Sequence, residues 1–419
     1  MLEGRTLLAQ VLQPNPLSLH TLSSAAGYCN DGTVGALLWG RHRDKFGSSV
    51  SGAGDVNGDG LDDVIIGAQA AGESYVLFGR ADRYTDVFVG LGSGGIGIDN
   101  TADPIVSSAG DVNGDGFDDV IIGSPRAVHG SATEAGRSYV VFGRAGSSHY
   151  VDVAALDGTN GFQIAGTNAF DHFGSSVGSA GDLNGDGFGD IVIGAPDADP
   201  HGESSGRAYV VFGRSVFPAT IDLASLDGTN GFSVDGAAES GHLGKSVSGA
   251  GDLNGDGIED LVIGAPDVPR DLAISGETYV LFGHSGTYPT SVQVTSIDEA
   301  SGFRIHGPHH GLGGLVAAGG DLNGDGFDDL IIAPRAYGSS YPALTTYVIF
   351  GRAAGYTEAV DVTQLSGTTG FRLTPPTEGS FNDVGTAGDV NDDGFGDLVV
   401  AVNAMAYLVY GHSGEFSNV

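Results

Sequence analysis

A nine-residue pattern, D-x-N-x-D-G-x-x-D, starts at Asp55, Asp111, Asp182, Asp252, Asp321 and Asp389, at intervals of 56 to 71 residues. Repetition at this period means that one small unit of structure is used six times, so no single copy can be read as a unique active site. Each copy runs into an apolar, β-branched stretch such as DVIIG (63–67), DIVIG (190–194) or DLVVA (397–401). A second stretch follows in every unit, for example YVLFGR (75–80), YVVFGR (209–214) and YLVYGH (407–412). A third recurs as GFQIAG (161–166), GFSVDG (231–236), GFRIHG (302–307) and GFRLTP (370–375), with a weaker copy in GIGIDN (95–100). Small-residue stretches such as FGSSVSGAG (46–54) precede the acidic loops. Val, Ile, Tyr and Phe supply strands, Gly, Asp, Asn and Pro punctuate them, and no segment sustains a 3.6-residue apolar period.

Each unit therefore reads as four short antiparallel strands. One such sheet cannot bury both faces, but sheets stacked radially can, which predicts an all-β fold, a β-propeller of four-stranded blades. Six repeats are counted. The last unit lacks an outer strand, and GALLWG (35–40) stands where outer strands stand elsewhere, so the N- and C-terminal strands are expected to close the ring in one sheet. The alternative is seven blades, because SSAAGYCNDG (23–32) looks like a decayed copy of SSAGDVNGDG (107–116). The domain reading is residues 1–34 as an N-terminal extension or vestigial blade and residues 35–419 as the propeller.

The loop chemistry points to calcium, which takes six to eight oxygen ligands from carboxylates, amides and carbonyls. In the third copy Asp182, Asn184 and Asp186 occupy positions 1, 3 and 5, the Phe188 carbonyl position 7, and Asp190 position 9. The equivalent sets are Asp55, Asn57, Asp59, Leu61 and Asp63; Asp111, Asn113, Asp115, Phe117 and Asp119; and Asp252, Asn254, Asp256, Ile258 and Asp260. The last two are Asp321, Asn323, Asp325, Phe327 and Asp329, and Asp389, Asn391, Asp393, Phe395 and Asp397. Three carboxylates within nine residues repel one another unless a cation neutralises them, so about six Ca2+ ions are expected. Magnesium demands a stiffer octahedral shell and fits less well. Position 8 varies between acid and Gly and is expected outside the cage. Asp392 replaces the usual Gly at position 4 of the last loop.

These residues resemble the FG-GAP repeats of the integrin α-chain N-terminal propeller and its bacterial relatives. Phe46-Gly47 and Phe173-Gly174 carry the first element, and Gly194-Ala195-Pro196 and Gly264-Ala265-Pro266 the second. Leu243 and Leu312 replace the Phe, and GAQ (67–69) or GSP (123–125) replaces GAP in some copies. The LDGTNGF segments (156–162, 226–232) look like the bacterial members. The resemblance implies calcium binding and extracellular adhesion or scaffolding, often on seven blades, without identifying a ligand.

A net charge of −35, with 17 Lys plus Arg against 52 Asp plus Glu, argues against nucleic acid and anionic membrane as partners. No apolar run is long enough to span a bilayer, and the N-terminal MLEGRTLLAQVLQPNPL makes a poor signal peptide. Cys29, the sole cysteine, permits neither an intramolecular disulfide nor a Cys-based zinc site. GSSVG (174–178) matches a nucleophile elbow and GLGSGG (90–95) a dinucleotide fingerprint, yet both read as repeat backbone with no helix following. The 12 His are scattered, and His309-His310 reads as loop; the YVVFGR aromatics and Trp39 read as packing. The expectation is a non-catalytic, monomeric, extracellular or cell-surface module that meets a protein or glycan ligand. The connections at 197–208 and 267–278 would vary its binding face. A passive spacer within a larger surface protein and a polysaccharide-acting propeller enzyme are the alternatives.

Overall fold

The computed structural model describes residues 38–39, 45–80, 87–88, 94–99, 103–146, 149–270, 273–274, 276–308, 311–334, 345–353, 356, 359–374, 381–402, 405–414 and 416. Six sheets follow one another in chain order, one per repeat, as an all-β, six-bladed propeller arrangement. Blade 3 runs from the inside outwards as Ser176–Gly181, Asp190–Ala195, Arg207–Val211 and Gly231–Asp235, all antiparallel. The other inner strands are Phe46–Gly54 (blade 1), Ile105–Gly110 (blade 2), Ser246–Gly251 (blade 4), Leu315–Gly320 (blade 5) and Phe381–Gly388 (blade 6). From blade 1 to blade 6, each inner strand lies against the next.

Second strands such as Asp119–Ser124, Asp190–Ala195 and Asp260–Ala265 are buried along their whole length. Neighbouring blades cover both faces, which is why these strands read as unbroken apolar runs rather than alternating ones. Inner strands need small residues instead: Ala109, Ala180 and Ala250 are fully buried where blades converge. Each inner strand ends in a β-bulge one residue before its acidic loop, as between Ser179 and Gly181. Gly181 sits there at φ +69°, a conformation that any other residue adopts only with strain.

The four-stranded expectation misses one element. Four blades gain a fifth, parallel strand from the connection between the third and outer strands of the following unit. Thr220–Ile221 of blade 3 joins Gly161–Ala165 of blade 2, and His149–Asp152 joins Gly95–Asp99 of blade 1. Likewise Ser291–Gln293 joins Gly231–Asp235, and Ala359–Asp361 joins Gly302–His306. This covers outer edges that would otherwise expose unpaired backbone groups. The same connections seat aromatic rings on the preceding blade: Phe162 stacks on Phe217, Phe232 on Tyr288, Phe303 on Tyr356 and Phe371 on Phe416, at 4.2–4.6 Å between centroids. In blades 3 to 6 the Arg or His ending the YVVFGR-type strand lies over that incoming ring. Arg214 lies 4.9 Å from Phe217, and His284 and His412 stack at 4.0 Å on Tyr288 and Phe416.

Val87–Phe88 occupies the matching connection of blade 1 and pairs in parallel with Leu38–Trp39. Leu38–Trp39 thus stands in the outer-strand position of the blade before the first, as the closing-strand expectation requires. Among the described residues it pairs with Val87–Phe88 alone, and blade 6 shows three strands. The decayed copy at 23–32, Cys29, His309-His310 and the Trp39 side chain lie outside the described residues. GSSVG (174–178) leads into the inner strand of blade 3, where Ser176 Oγ donates to the Gly244 carbonyl of blade 4 at 2.8 Å; it is no nucleophile elbow. No helix among the described residues is long and apolar enough to cross a membrane.

Candidate cation loops and the junctions between them

In each loop the position-1 carboxylate gathers backbone N–H groups of the turn it begins. In blade 1, Gly58, Asp59 and Gly60 donate to Asp55 at 2.7, 3.0 and 2.7 Å. Asp111, Asp252 and Asp321 hold the same three donors, and Asp182 and Asp389 hold the last two. The position-5 carboxylate then accepts the N–H of position 7, as Phe188 donates to Asp186 at 3.0 Å. This is why acids and Gly recur together: the acids satisfy backbone donors that a turn leaves unpaired, and Gly permits the turn.

Position 9 has a different task. Asp190 is fully buried and accepts from Leu183 N at 3.0 Å and from Gly213 N, at the end of the third strand, at 2.8 Å. Asp63, Asp119, Asp260, Asp329 and Asp397 make the same two-ended brace between loop and third strand. For Asp63, Asp119, Asp190, Asp260 and Asp329, burial is the chief cause that raises the acid, and the loop's other carboxylates add to it, while the backbone donors pull the other way. Asp63 is pushed up to about 7, and Asp119, Asp190, Asp260 and Asp329 to about 8.

Position 3 differs between the loops. Asn113, Asn254, Asn323 and Asn391 accept from the N–H of position 5 at 2.8–3.0 Å. In the third loop Asn184 Oδ1 is buried and has no hydrogen-bond partner. Among the described residues no three His, Cys, Asp or Glu side chains are gathered into a metal shell; the loop acids instead face their own backbone.

Position 8, expected outside the cage, joins neighbouring loops. Its N–H donates to the position-1 carbonyl of the preceding blade: Asp118 to Asp55, Gly189 to Asp111, Asp328 to Asp252 and Gly396 to Asp321, at 2.8–3.2 Å. Where position 8 is Asp, its carboxylate also takes the N–H of that residue, Asp118 from Asp55 at 2.8 Å and Asp328 from Asp252 at 2.9 Å. Position 7 does the same with its side chain. A Cβ on Gly114 would stand 2.5 Å from the Phe188 ring of the next blade, and one on Gly58 would stand 2.3 Å from Phe117. Position 4 is therefore Gly because the neighbour's ring fills its side-chain space. The sequence signal for both contacts was present, an apolar position 7 and a variable position 8, but only the ring places one loop against the next.

Comparison with known proteins agrees with this geometry. The FG-GAP repeat family matches residues 46–77, 105–141, 173–211, 244–281 and 313–348. The loop at Asp389 falls outside those segments, although its hydrogen bonds are those of the others. The chain is 34% identical to integrin alpha-5 of Xenopus laevis over 180 residues, covering 41% of this chain and 15% of that protein. It is 29% identical to integrin alpha pat-2 of Caenorhabditis elegans over 239 residues, 53% of this chain and 18% of that protein. It is also 36% identical to the phosphatidylinositol-glycan-specific phospholipase D of Bos taurus over 157 residues, 37% of this chain and 18% of that protein. The chain thus spans less than a fifth of the length of these relatives. Repeats, blades and loops together make it an FG-GAP-repeat, integrin-α-like β-propeller domain.

Proposed function

We propose that this domain is a calcium-stabilised, adhesion-type binding module that works outside the cell or at its surface. The observation that carries the calcium reading is the buried, unpartnered Asn184 Oδ1, in the loop whose sequence also carries Asp182, Asp186 and Asp190. An amide oxygen without a donor costs free energy, and a hard cation is the partner that also neutralises three neighbouring acids. Each carboxylate oxygen has a second lone pair beyond its backbone bond, so the position-1, -5 and -9 acids of all six loops fit the same role. When bound, Ca2+ would supply charge neutralisation and tie the first-to-second-strand turn together.

The binding reading rests on the likeness to integrin α chains, and the same likeness supports the extracellular location. The ligand is a protein or glycan met by the connections at the opposite end, and the domain is non-catalytic and monomeric on this reading. The LDGTNGF segments support kinship with bacterial members. The test has two parts. Thermal melting in calcium, in magnesium and in chelator should show a rise of about 10 °C or more with calcium only, since several sites each stabilise the folded state. An unchanged melt removes calcium from the proposal. A pull-down and glycan array should then yield a ligand; a blank result on both favours the passive spacer.

A further inference from the structure

At the end of the propeller away from the acidic loops, five side chains from three blades form an alternating row. His172 Nε2 lies 2.8 Å from Glu134 Oε2, and His172 Nδ1 lies 2.7 Å from Asp197 Oδ2. Asp197 Oδ1 lies 3.3 Å from His242 Nε2, and His242 Nδ1 lies 2.9 Å from Asp267 Oδ2. Glu134 belongs to the second-to-third-strand connection of blade 2. His172 and Asp197 flank the inner and second strands of blade 3, and His242 and Asp267 hold the same places in blade 4. The row crosses two seams between blades.

Both nitrogens of His172 are hydrogen-bonded to carboxylate oxygens, and both of His242 lie within 3.3 Å of one, although His242 Nδ1 is buried and not aligned for a hydrogen bond. A neutral imidazole offers one N–H and one lone pair, and a lone pair aimed at a carboxylate repels it. The geometry suits doubly protonated rings alone. The backbone adds an independent sign. His172 and His242 both sit at φ +51°, in a slot occupied by Lys45 at +50° in blade 1 and Gly311 at +78° in blade 5. A non-glycine residue held there has a side chain that the site uses. In blade 2, Arg126 stands in the place of Asp197 and pairs with Asp103 at 2.8 Å, so this end of blade 2 carries an ion pair of another kind.

We propose that Glu134, His172, Asp197, His242 and Asp267 form a proton-dependent latch joining blades 2, 3 and 4, closed while both imidazoles are doubly protonated and released when they lose protons. Asp197 and Asp267 hold His242 up to about 9 against the opposing effect of burial. Its ordinary value is lower, so the His242 contacts of the latch are fully formed below about pH 6.5 and are lost as pH rises through about 9. Burial would raise Asp197, but His242 and His172 outweigh it and hold the acid below the usual range. Asp171, Asp199 and Arg207 add charge at the His172 end, with Asp171 accepting from Asn168 Nδ2 at 3.0 Å. Beside His242, the Lys45 counterpart is the ring itself, while Lys245 donates its N–H to the His242 carbonyl and Glu203 offers its carbonyl to Ser240.

The experiment is a histidine-resolved NMR titration of the whole chain in constant calcium, with melting of the unaltered protein, H172Q and H242Q from about pH 6 to about pH 10. His242 is expected to titrate near 9. H242Q should melt about 2–4 °C lower at neutral pH, with the gap closing by about pH 10. H129Q, whose ring meets the Gly166 carbonyl at 3.1 Å and no carboxylate of the row, is the control outside the row. Titration of His242 near the ordinary value, or a gap for H242Q that is absent or constant with pH, overturns the latch. Should H242Q fail to fold, the titration of the unaltered protein decides alone.

Discussion

The two ends of this propeller are built on opposite principles. The loop end repeats one solution six times: a position-1 acid fans out to its own turn, a position-9 acid is buried as a brace, and positions 7 and 8 reach the preceding blade. The other end draws its His–carboxylate row from three blades, with the histidines in two of them, and answers the same slot with Lys45 or Gly311 elsewhere. Features present in every copy serve the ring, because each blade meets the same neighbour in the same way. Features confined to particular copies are where an individual function can reside.

The largest expected effect tests whether loop acids at positions 9 and 5 do separate jobs. Asp190→Ala leaves the buried N–H groups of Leu183 and Gly213 without acceptors, at about 1–3 kcal/mol each, so a loss of about 2–6 kcal/mol is expected with or without calcium. Asp186→Ala removes an exposed turn bond and should cost about 1 kcal/mol or less in chelator, and more only in calcium. Denaturant unfolding of both variants under both conditions separates the brace from the cage. Equal, calcium-dependent losses would merge the two roles.

A smaller effect tests why position 4 is Gly. Gly114→Ala forces a methyl to 2.5 Å from the Phe188 ring at φ +73°, and should cost roughly 1–3 kcal/mol. Asp392 already carries a side chain at φ +61° in the last loop, so Asp392→Ala should change stability by about 0.5 kcal/mol or less. Equal losses at the two positions would mean that the turn, not the neighbouring ring, selects Gly.

The same contrast explains what the sequence made legible. Six copies in phase reveal strands, loops and acids, because local chemistry and the repeat period carry that information. The parallel fifth strands were hidden, since a two-residue segment such as Thr220–Ile221 has no pattern of its own and pairs only because blade 2 presents an open edge. Position 8 was legible as variable, but its partner lies in the preceding blade. His172 and His242 looked scattered for the same reason: Glu134 reaches His172 only across the seam between blades 2 and 3, and Asp197 reaches His242 only across the next. A narrower signal did exist, a His before F-G or L-G together with an Asp after G-A-P, shared by copies three and four alone.

The smallest expected effect lies at position 8, between the repeated and the copy-specific. Asp328 accepts from Asp252 N at 2.9 Å, a contact that Gly189 and Gly396 do without in their own blades. Burial chiefly raises Asp328, and the charges of Asp252 and Asp321 raise it further, so the acid gains a hydrogen bond at the cost of repulsion. The two nearly offset each other. Asp328→Gly should therefore change stability by about 1 kcal/mol or less, even though the side chain bridges two blades. Its sign should depend on the cation: with calcium bound in the loop of Asp252 the repulsion is neutralised and the variant loses stability, whereas in chelator at low salt it gains slightly. Unfolding measured at low and high ionic strength, with and without calcium, reads that sign directly. A loss of several kcal/mol in every condition would make position 8 as indispensable as the buried acid at position 9, and the tolerance of Gly at 189 and 396 would need another cause.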